Sequence, residues 1–532
     1  MNAAAKLTAP AAGTAVTAKS RKSSGRLISL IDEMDSTYFH NRRGECFINA
    51  KIDGVFKTLP VSSAECADLV QRVHFEDTGR GLVEYKMKEV LATIRARARF
   101  EGHEEEVHLR VARAANDNIE IDLGGDDGQC VRVGPDGYEV TSPTVKFIRP
   151  SGIGQLPNPE PGGNIGELWT VLNMADQSDQ TLVASWMVSA MKPEGPHAIL
   201  ILQGEQGSAK TTAMNTLRSL IDPFAAVKRS MPTSEKDLFI AADRNWAMSF
   251  DNLSFMKGNI SDALCRIATG GSFATRELYT TFGEKVIEVS RPIILNGIDD
   301  IATRMDLLSR SILVTLPVIP KSKRKTMLEL DKALAVMAPR IFGVLLDALS
   351  CAIRNRDTVR LSGLPRLADF VQFASASESS FGFQPGAVAA AMEENQKDAT
   401  ANALALDTIG SALLEHIADS PENSWRGTAS ELYQLLTPEF KIPKTWPVDA
   451  ASFSKRLIRL FAALLDRGVE IDRIRVSGGE RHIVWTKTAA FKSEGGLEFD
   501  DEDDDLRLQD NELEASDDDL DSLFEDDSSL PF

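Results

Sequence analysis

Cysteine and histidine are scarce in this chain of 532 residues. There are five cysteines and seven histidines, and no two cysteines have the C-x-x-C spacing of a zinc-binding or redox motif. The spacing indicates a reduced, cytoplasmic protein without structural zinc, in which single thiols are buried. The five thiols belong to Cys46, Cys66, Cys130, Cys265 and Cys351.

Long apolar runs are also missing. No stretch of the sequence has the length of a membrane-spanning segment, and the first residues lack the apolar core of a signal peptide. We therefore expect no membrane association. Hydrophobic residues make up 43% of the chain and charged residues 26%. These values are typical of a globular protein, and the length suits two to four domains.

Positive charge is deficient overall, but the deficit is concentrated at one end. The net charge of the chain is −19, and residues 494–532 contain 18 acidic residues and a single basic one, Arg507. Only about −2 therefore remains for the rest of the chain, whose basic residues can cluster locally and bind nucleic acid. An acidic tail of this composition is expected to be disordered.

Changes in composition divide the chain into segments of an α/β protein. Residues 150–163, which contain several Gly and Pro, separate a small domain from the rest. The predicted segments are a disordered arm (1–35), a small α/β domain (36–150), a P-loop ATPase core (165–350), a helical region (351–420), a winged-helix-like domain (426–487) and an acidic disordered tail (490–532).

Two of these segments have a predicted internal order. The small domain should contain strands within 47–59 and at 107–112, 118–123, 130–133 and 138–140, with helices at 64–75 and 85–100. The winged-helix-like domain should contain a helix from Gly427-Thr428 to Leu436 and a longer helix over 449–466. It should end in a two-strand hairpin over 471–485 that turns at Ser477-Gly478-Gly479.

The strongest motif follows an apolar run at Ala198–Leu202, which predicts a buried strand. A glycine-bearing loop comes next, and apolar residues at helical spacing follow it. This is the layout of a P-loop, in which backbone N–H groups and the positive end of the helix enclose phosphates. The expected nucleotide-binding residues are Gly204, Glu205, Gln206, Gly207, Ser208, Ala209, Lys210, Thr211 and Thr212.

Two side chains of this loop have specific expected roles. Lys210 should reach the β- and γ-phosphates of ATP, and the Thr211 hydroxyl should bind Mg²⁺. The loop departs from the G-x-x-x-x-G-K-[ST] pattern at Ala209, which stands in place of the last glycine. Alanine tolerates a left-handed backbone less well than glycine. The alternative is a helix that merely begins after a glycine turn.

A second apolar run, 246–250, is followed by Asp251-Asn252. Asp251 lies 41 residues after Lys210. A carboxylate at the end of a strand suits the second nucleotide motif, so Asp251 is expected to hold Mg²⁺. Asn252 stands where a general-base glutamate commonly follows. Hydrolysis could therefore be slow, or the base could come from Asp243 or Asp262. A plain strand-end turn is the other interpretation.

A third apolar run, 291–295, ends in Asn296, whose amide could bridge the γ-phosphate and the lytic water as a sensor. Arg304 and Arg310 follow, and either could reach the γ-phosphate of a neighbouring subunit or pair with Asp306 at the surface. Between the second and third runs, residues 280–289 alternate as a hairpin that turns at 282–285. Its Lys285 and Phe282 could contact DNA, unless it is a plain surface hairpin.

The order of these motifs resembles that of superfamily III helicases. GEQGSAKTT, FDN, ATGGSFATRELY, RPIILNGI and DLLSR lie within about 107 residues. They look most like the helicase-type ATPase module of phage- and plasmid-borne primase-helicase proteins, over about residues 45–485. The resemblance implies an AAA+-like core that uses ATP and Mg²⁺, with Lys210 and Thr211 on phosphate and Mg²⁺. It also implies Asp251 on Mg²⁺, Asn296 as sensor and Arg310 as arginine finger.

The chain departs from this family in lacking a recognisable polymerase or zinc-binding primase domain, so another protein would supply priming. Its end resembles the tail of single-stranded-DNA-binding proteins, because an acidic linker leads to Leu530-Pro531-Phe532. Such a tip can enter an apolar pocket with a basic rim on host replication proteins. The alternative is a tail that only solubilises the protein.

These observations predict an ATP-dependent DNA helicase or translocase that serves replication of a mobile genetic element. It would form a homo-oligomeric ring, a hexamer, on single-stranded or forked DNA in the cytoplasm. The alternative is a regulator or helicase loader that binds ATP as a switch and recruits replication proteins through its tail. A DNA-binding scaffold with a vestigial P-loop is a third interpretation.

Overall fold

The structure, a computed structural model, describes residues 24–491 except 226–229, 255, 277–283, 298–303, 362–365, 441 and 477–479. Its N-terminal part is a small α/β unit. The strands pair in the order β3-β2-β1-β4, antiparallel except for β1 with β4. The elements are α1 (24–32), β1 (Thr37–His40), β2 (Cys46–Ile52), β3 (Val55–Pro60), α2 (Ala64–Thr78), α3 (Glu84–Phe100) and β4 (His103–Glu104).

Helix α1 occupies part of the arm that the sequence indicated to be disordered as far as residue 35. Leu27, Ile28 and Ile31 recur at helical spacing, and they are buried in one core with α2 and α3. This burial stabilises a short helix that the composition of the whole arm does not indicate. The first 23 residues of the predicted arm lie outside the described residues.

A β-meander follows and packs onto the next unit rather than onto the first. Strands β6 to β9 pair in sequence order, all antiparallel, while β5 and β10 form a short parallel pair. The residues of the predicted domain 36–150 therefore contribute to more than one hydrophobic core. The elements are β5 (Val107–His108), β6 (Val111–Arg113), a 3-10 turn (Ala115–Asp117), β7 (Ile119–Asp122), β8 (Cys130–Gly134), β9 (Gly137–Thr141) and β10 (Lys146–Phe147).

The central unit contains a four-stranded parallel sheet in the order β12-β15-β11-β16. Its strands are continuous apolar runs because helices cover both faces. This agrees with the predicted P-loop type of core. The elements are α4 (Gly166–Trp169), α5 (Gln177–Ser189), β11 (Ile199–Gln203), α6 (Lys210–Ile221), α7 (Glu235–Arg244), β12 (Met248–Leu253), α8 (Gly258–Thr269), β13 (Gly271–Arg276), β14 (Glu284–Val289), β15 (Ile293–Gly297), α9 (Met305–Leu308) and β16 (Ser311–Thr315).

The hairpin between the second and third motifs exists, but its strands differ from those expected. Strand β13 pairs with β14 in antiparallel register, with Gly271 opposite Val289. Glu284 and Lys285 therefore begin a strand, and the prediction that they form the turn is wrong. The alternation at 284–289 was correct, whereas the partner strand lies before residue 277. Phe282 and Gly283 lie outside the described residues.

Five helices follow the sheet. They are α10 (Met327–Asn355), α11 (Ala368–Ser375), α12 (Glu378–Phe381), α13 (Ala387–Leu406) and α14 (Thr408–Asp419), after a 3-10 turn at Lys321–Lys323. Helix α10 runs through the predicted boundary at residue 350. Among the described residues it is also the one helix long and apolar enough to cross a membrane by length and composition. Its most apolar window is 67% buried inside the protein, as in a core helix.

The C-terminal unit has a three-stranded antiparallel sheet in the order β17-β19-β18. Helix α14 shares its core. The expected long helix over 449–466 is two helices that break at Arg459-Leu460, and a third strand, β17, contains Gly427. The elements after α14 are β17 (Ser424–Thr428), α15 (Ala429–Leu436), α16 (Ala450–Ile458), α17 (Phe461–Asp466), β18 (Val469–Arg475) and β19 (Arg481–Lys487).

All five cysteines are free, and four of them are buried. Burial raises the pKa of the Cys66 and Cys130 thiols to about 12 and that of Cys265 to about 11. Thiols with such pKa values stay protonated at neutral pH and are poor nucleophiles. They act as small apolar core residues, which agrees with the expectation of scattered buried thiols.

Candidate nucleotide site

The glycine-bearing loop lies where strand β11 ends and helix α6 begins. Gly204 and Gly207 have φ values of 137° and 89°, a region that side-chain-bearing residues rarely adopt. Gly204 also has no room for a side chain, because a Cβ there would clash with the carbonyl oxygen of Leu316. The loop is therefore narrow and exposes its backbone, as a phosphate-binding turn requires.

Ala209 keeps the backbone conformation expected of the glycine that it replaces. Its φ of 66° and ψ of 31° are left-handed, and it is the residue directly before helix α6. Helix α6 has no side-chain cap at this end. Its first backbone N–H groups thus point towards the loop without a side-chain acceptor, which suits an anion.

The ammonium group of Lys210 lies inside the loop. Its Nζ donates to the carbonyl oxygens of Gly204 and Glu205, the latter at 2.8 Å. These carbonyl oxygens hold the cation at the centre of the turn. A phosphate bound in the loop could therefore replace these carbonyl oxygens as the partner of the Lys210 ammonium group. The new hydrogen bonds would join two charged groups.

Thr211 in the first turn of helix α6 and Asp251 in strand β12 are brought together. The Thr211 hydroxyl donates to Asp251 Oδ1 at 2.8 Å, and both residues are half-buried. Parallel strands place their carboxyl ends at one edge of the sheet, so the first turn of α6 meets the end of β12. A hydroxyl and a carboxylate oxygen side by side next to the glycine-bearing loop fit Mg²⁺, which prefers oxygen ligands.

Asn296 is the second-to-last residue of strand β15, which lies between β11 and β12. It is 1% exposed, and its Oδ1 accepts a hydrogen bond of 2.7 Å from the backbone N–H of Asn252. Its amide nitrogen contacts Met214 Sδ in α6 at 3.6 Å. The structure therefore brings Asn296 to the same edge as Asp251, where it supports the irregular end of β12.

The two weaker candidates for a general base pair with arginines. Asp243 accepts from Arg43 at 2.9 Å, and Asp262 accepts from Arg304 at 2.7 Å. Each pair joins the carboxylate to another element, and neither contact includes the loop or Thr211. Both carboxylates thus have an arginine as partner.

Arg310 lies at the opposite end of the sheet from the loop. Its carbonyl oxygen accepts from the N–H of Ile199, the first residue of β11. A strand of five residues spans about 17 Å at roughly 3.3 Å per residue, so Arg310 cannot reach the loop of its own chain. Its guanidinium pairs with Asp306, and Arg366 donates to the same carboxylate at 2.7 Å.

Sequence reasoning missed the segment that covers the loop. Residues 316–325 run from β16 across it, with Leu316 N–H donating to Gln203 O at 2.9 Å and Ile319 N–H to Gly207 O at 3.3 Å. From the other side, Asn173 Nδ2 donates to Ser208 O at 3.1 Å and contacts Pro317 O. Asn173 comes 31 positions before the loop residue Gly204, and no local pattern marks it.

The C-terminal unit has several basic side chains at its surface. Arg456 is not free, because it donates to Asp407 at 2.7 and 3.1 Å and to Thr445 O. Other cations of this unit are exposed and pair with no carboxylate within the described part of the chain. They are Lys455, Arg459, Arg473, Arg475 and Arg481.

Two family models match the chain. Residues 165–398 match the actinomycete integrative conjugative element replication protein, AICE RepA, and residues 409–497 match the AICE RepA C-terminal domain. The first match spans the central unit and its helices, and the second begins in α14. Together the matches cover more than half of the chain. The chain belongs to this family of replication proteins, which serve an integrative conjugative element.

Solved structures show weaker similarity. An apo structure of the NrS-1 C-terminal region is 11% identical, with 87% of this chain and 98% of that chain covered and a TM-score of 0.38. JCV helicase with a bound small molecule is 12% identical, with 38% and 60% covered and a TM-score of 0.22. Similarity at this level supports no argument here. No curated protein matches the chain.

Proposed function

We propose that this replication protein is an ATPase that couples ATP hydrolysis to DNA translocation or unwinding during replication of its mobile element, in the cytoplasm. The observation that supports this proposal most is the pair Thr211 and Asp251, 2.8 Å apart beside a loop with P-loop backbone geometry. Two motifs that are 40 positions apart in sequence meet at one edge of a parallel sheet. A helix that merely follows a glycine turn is not expected to contact a carboxylate at the end of another strand.

Each residue of the site then has a role in the proposed reaction. The loop N–H groups and Lys210 bind the phosphates and stabilise the charge that develops on them in the transition state. Thr211 and Asp251 would hold Mg²⁺, which neutralises negative charge on the phosphate oxygens. Asn296 fixes the backbone of Asn252, and as a sensor it would have to turn its amide towards the γ-phosphate. ATP and Mg²⁺ are thus the proposed cofactors.

DNA is the proposed partner of the C-terminal unit and of the β13–β14 hairpin. Helix α14, strand β17, the three helices α15, α16 and α17, and the β18–β19 hairpin follow one another in the C-terminal unit. With α16 and α17 taken as one interrupted helix, this is the element order of a winged helix. Its unpaired cations, with Lys455 on the helix α16, give it a surface that would attract phosphate. Single-stranded or forked DNA would bind there.

A homo-oligomeric ring, a hexamer, is proposed because Arg310 lies too far from the loop of its own chain. An arginine there can act on hydrolysis only from a neighbouring copy, as the resemblance to ring-forming helicases implies. Within a single chain, the guanidinium of Arg310 pairs with the carboxylate of Asp306. A neighbour's nucleotide would compete with that carboxylate for the guanidinium.

The acidic tail is proposed to dock on host replication proteins through Leu530, Pro531 and Phe532, which lie outside the described residues. A terminal aromatic ring and carboxylate suit an apolar pocket with a basic rim. Deleting Phe532 should abolish such binding and leave ATP turnover unchanged. Equal recovery of partners by both forms in a pull-down would reduce the tail to a solubilising appendage.

A switch that binds ATP without rapid turnover is the alternative function. Asn252 supports it, because it occupies the place of a general-base glutamate and its backbone N–H is bonded to Asn296. ATP turnover measured with and without single-stranded DNA separates the two. Strong stimulation by DNA supports the translocase, whereas tight ATP binding without turnover supports the switch or loader.

Lys210→Ala is the variant that tests the site itself. Loss of this cation should lower ATP turnover about a hundredfold or more. The fold should be kept, because the contacts of Nζ lie within the loop, with two carbonyl oxygens and the Ser208 hydroxyl. Lys236→Ala, on the exposed start of α7, is a matched control that should behave like wild type. Turnover of Lys210→Ala at the wild-type rate would contradict the proposed function.

A further inference from the structure

The segment after strand β16 is strongly basic and lies over the phosphate-binding loop. Lys321, Lys323, Arg324 and Lys325 follow one another within five positions, and all four are exposed. Two backbone hydrogen bonds and Asn173 fix the preceding residues to the loop, and a capping box at Thr326 fixes the start of helix α10. The basic residues between these anchor points therefore have a defined position beside the loop.

Arg324 is the member of this group that reaches the loop. Its Nε donates to the carbonyl oxygen of Ile319 at 3.2 Å, and Ile319 is itself bonded to Gly207. Its Nη2 lies 3.2 Å from the position that a Cβ of Gly207 would occupy. A side chain at Gly207 would therefore crowd the guanidinium, in addition to straining a left-handed backbone.

The charge of Arg324 has no carboxylate partner in the described part of the chain. A guanidinium presents five N–H donors, and the bond to Ile319 uses one of them. Several donors thus remain available on the outer side of Gly207, while Lys210 lies on the inner side. An arginine held in this way matches the oxygens of a phosphate group in a forked geometry that lysine cannot reproduce.

We propose that Arg324 is a second cation of the nucleotide site, which binds the triphosphate in the same chain from the outer side of the loop. The proposal rests on the proposed function, because it needs ATP in the loop. It differs from the role of Arg310, which would act from a neighbouring copy. Arg324 would contribute to nucleotide affinity in the single chain.

The test is MgATP binding by calorimetry with the full chain and four variants. Arg324→Ala should weaken MgATP binding about tenfold to a hundredfold, as expected for loss of a charge-assisted hydrogen bond. Arg324→Lys keeps the charge but loses the fork, so its affinity should be intermediate. Lys323→Ala removes a neighbouring charge that has no contact with the loop, and it should bind like wild type. Lys210→Ala should lose binding.

Magnesium tripolyphosphate, which lacks the base and ribose, identifies the part of the nucleotide that Arg324 contacts. Arg324→Ala should weaken its binding by the same factor as that of MgATP. Weakening of MgATP alone would place Arg324 on the base or ribose and overturn the proposal. Equal MgATP binding by wild type and Arg324→Ala, with binding lost in Lys210→Ala, would also overturn it. If Lys210→Ala also binds like wild type, the proposed function fails as well.

Discussion

At the scale of single residues, backbone conformation explains how the loop tolerates its departure from the motif. Six non-glycine residues have positive φ among the described residues, and five of them are Asp or Asn. These side chains hydrogen-bond locally and adopt left-handed conformations more readily than others. Ala209 is the exception, and its conformation costs about 1–2 kcal/mol. The loop geometry is therefore maintained against an intrinsic preference.

Substitutions at Ala209 should separate conformation from side-chain size. Ala209→Gly removes the strain but frees the unfolded chain, so the free energy of unfolding should stay within about 1 kcal/mol of wild type. ATP affinity should be kept. Ala209→Val places a β-branched residue in a left-handed conformation and should weaken ATP binding about tenfold or more. Urea unfolding and nucleotide titration measure both quantities. Undiminished ATP binding by Ala209→Val would contradict the loop geometry.

A second residue-scale prediction concerns Asp179, which lines a cleft of about 240 Å³ between α5, β16 and α13. Burial, and then the charge of Asp176, raises the pKa of Asp179 from 3.8 to about 7. The protonated form is thus favoured by folding. Its contribution to stability is complete below a pH of about 4 and is lost as the pH rises towards 7.

Asp179→Asn should remove this pH dependence, because the amide keeps the size of the neutral acid. The variant should gain about 1 kcal/mol over wild type at pH 8, an amount that allows for partial exposure, and little at pH 5. Urea unfolding at the two pH values measures the difference. An equal change at both would show that ionisation of Asp179 has no part in it.

At the scale of elements, local patterns predicted much of the structure. The apolar runs at 198–202, 246–250 and 291–295 became adjacent parallel strands, and the helices at 64–75 and 85–100 formed with small shifts at their ends. Periodicity and buried apolar runs are local signals, so a single sequence shows them. The meeting of Thr211 and Asp251 followed from the rule that parallel strands end at one edge.

Pairing over long distances was not predictable in the same way. The strand that pairs with β14 is β13, which lies before residue 277. The pairing depends on the register between the two strands, and the alternation of residues within one strand does not show it. Strand β17 has one buried residue, Gly427, and pairs with β19, where its central residue Arg426 lies opposite Val484, 58 positions away. Asn173 and Arg324 reach the loop from separate elements. No pattern within either segment indicates that contact.

The C-terminal unit gives an element-scale prediction that separates stability from DNA binding. Arg456 ties α16 to Asp407, which also accepts from the first N–H groups of α14. Arg456→Ala leaves a partly buried carboxylate without this partner, so it should lower the free energy of unfolding by about 1–3 kcal/mol. Lys455 is exposed and unpaired, so Lys455→Ala should change stability by less than about 0.5 kcal/mol.

DNA affinity should change in the opposite order. Lys455→Ala should weaken binding of single-stranded DNA and reduce the slope of affinity against salt by about one unit. Arg456→Ala should keep that slope at temperatures where the unit is folded. Fluorescence anisotropy over a salt series, with thermal unfolding of each variant, measures both effects. A lower salt slope for Arg456→Ala would instead place its guanidinium on DNA.

At the scale of the whole molecule, the β-meander and the central unit form one body. They share a hydrophobic core that includes Ile121, Val131 and Leu345. Arg110, fully buried in the connection to β6, donates to Asp222 at the end of α6 at 3.0 Å. Breaking such a buried pair leaves an uncompensated charge. The helix that follows the loop is therefore fixed to the meander at its C-terminal end, and its N-terminal end borders the proposed nucleotide site.

The last prediction follows from the two ends of the parallel sheet. The proposed nucleotide site lies at the carboxyl ends of the strands and Arg310 at the amino ends, so a ring would bring Arg310 of one copy to the site of the next. Arg310→Ala should then impair hydrolysis more than ATP binding. When Arg310→Ala and Lys210→Ala chains are mixed in equal amounts, a site with Lys210 meets a neighbour with Arg310 at about a quarter of the interfaces. About that share of wild-type turnover should return, although neither variant is active alone.

The double variant Lys210→Ala/Arg310→Ala mixed with Lys210→Ala is the control, because no interface has both groups, and it should stay inactive. Inactivity of the first mixture, together with the mass of a single chain in light scattering, would exclude Arg310 from the reaction and the ring from the mechanism.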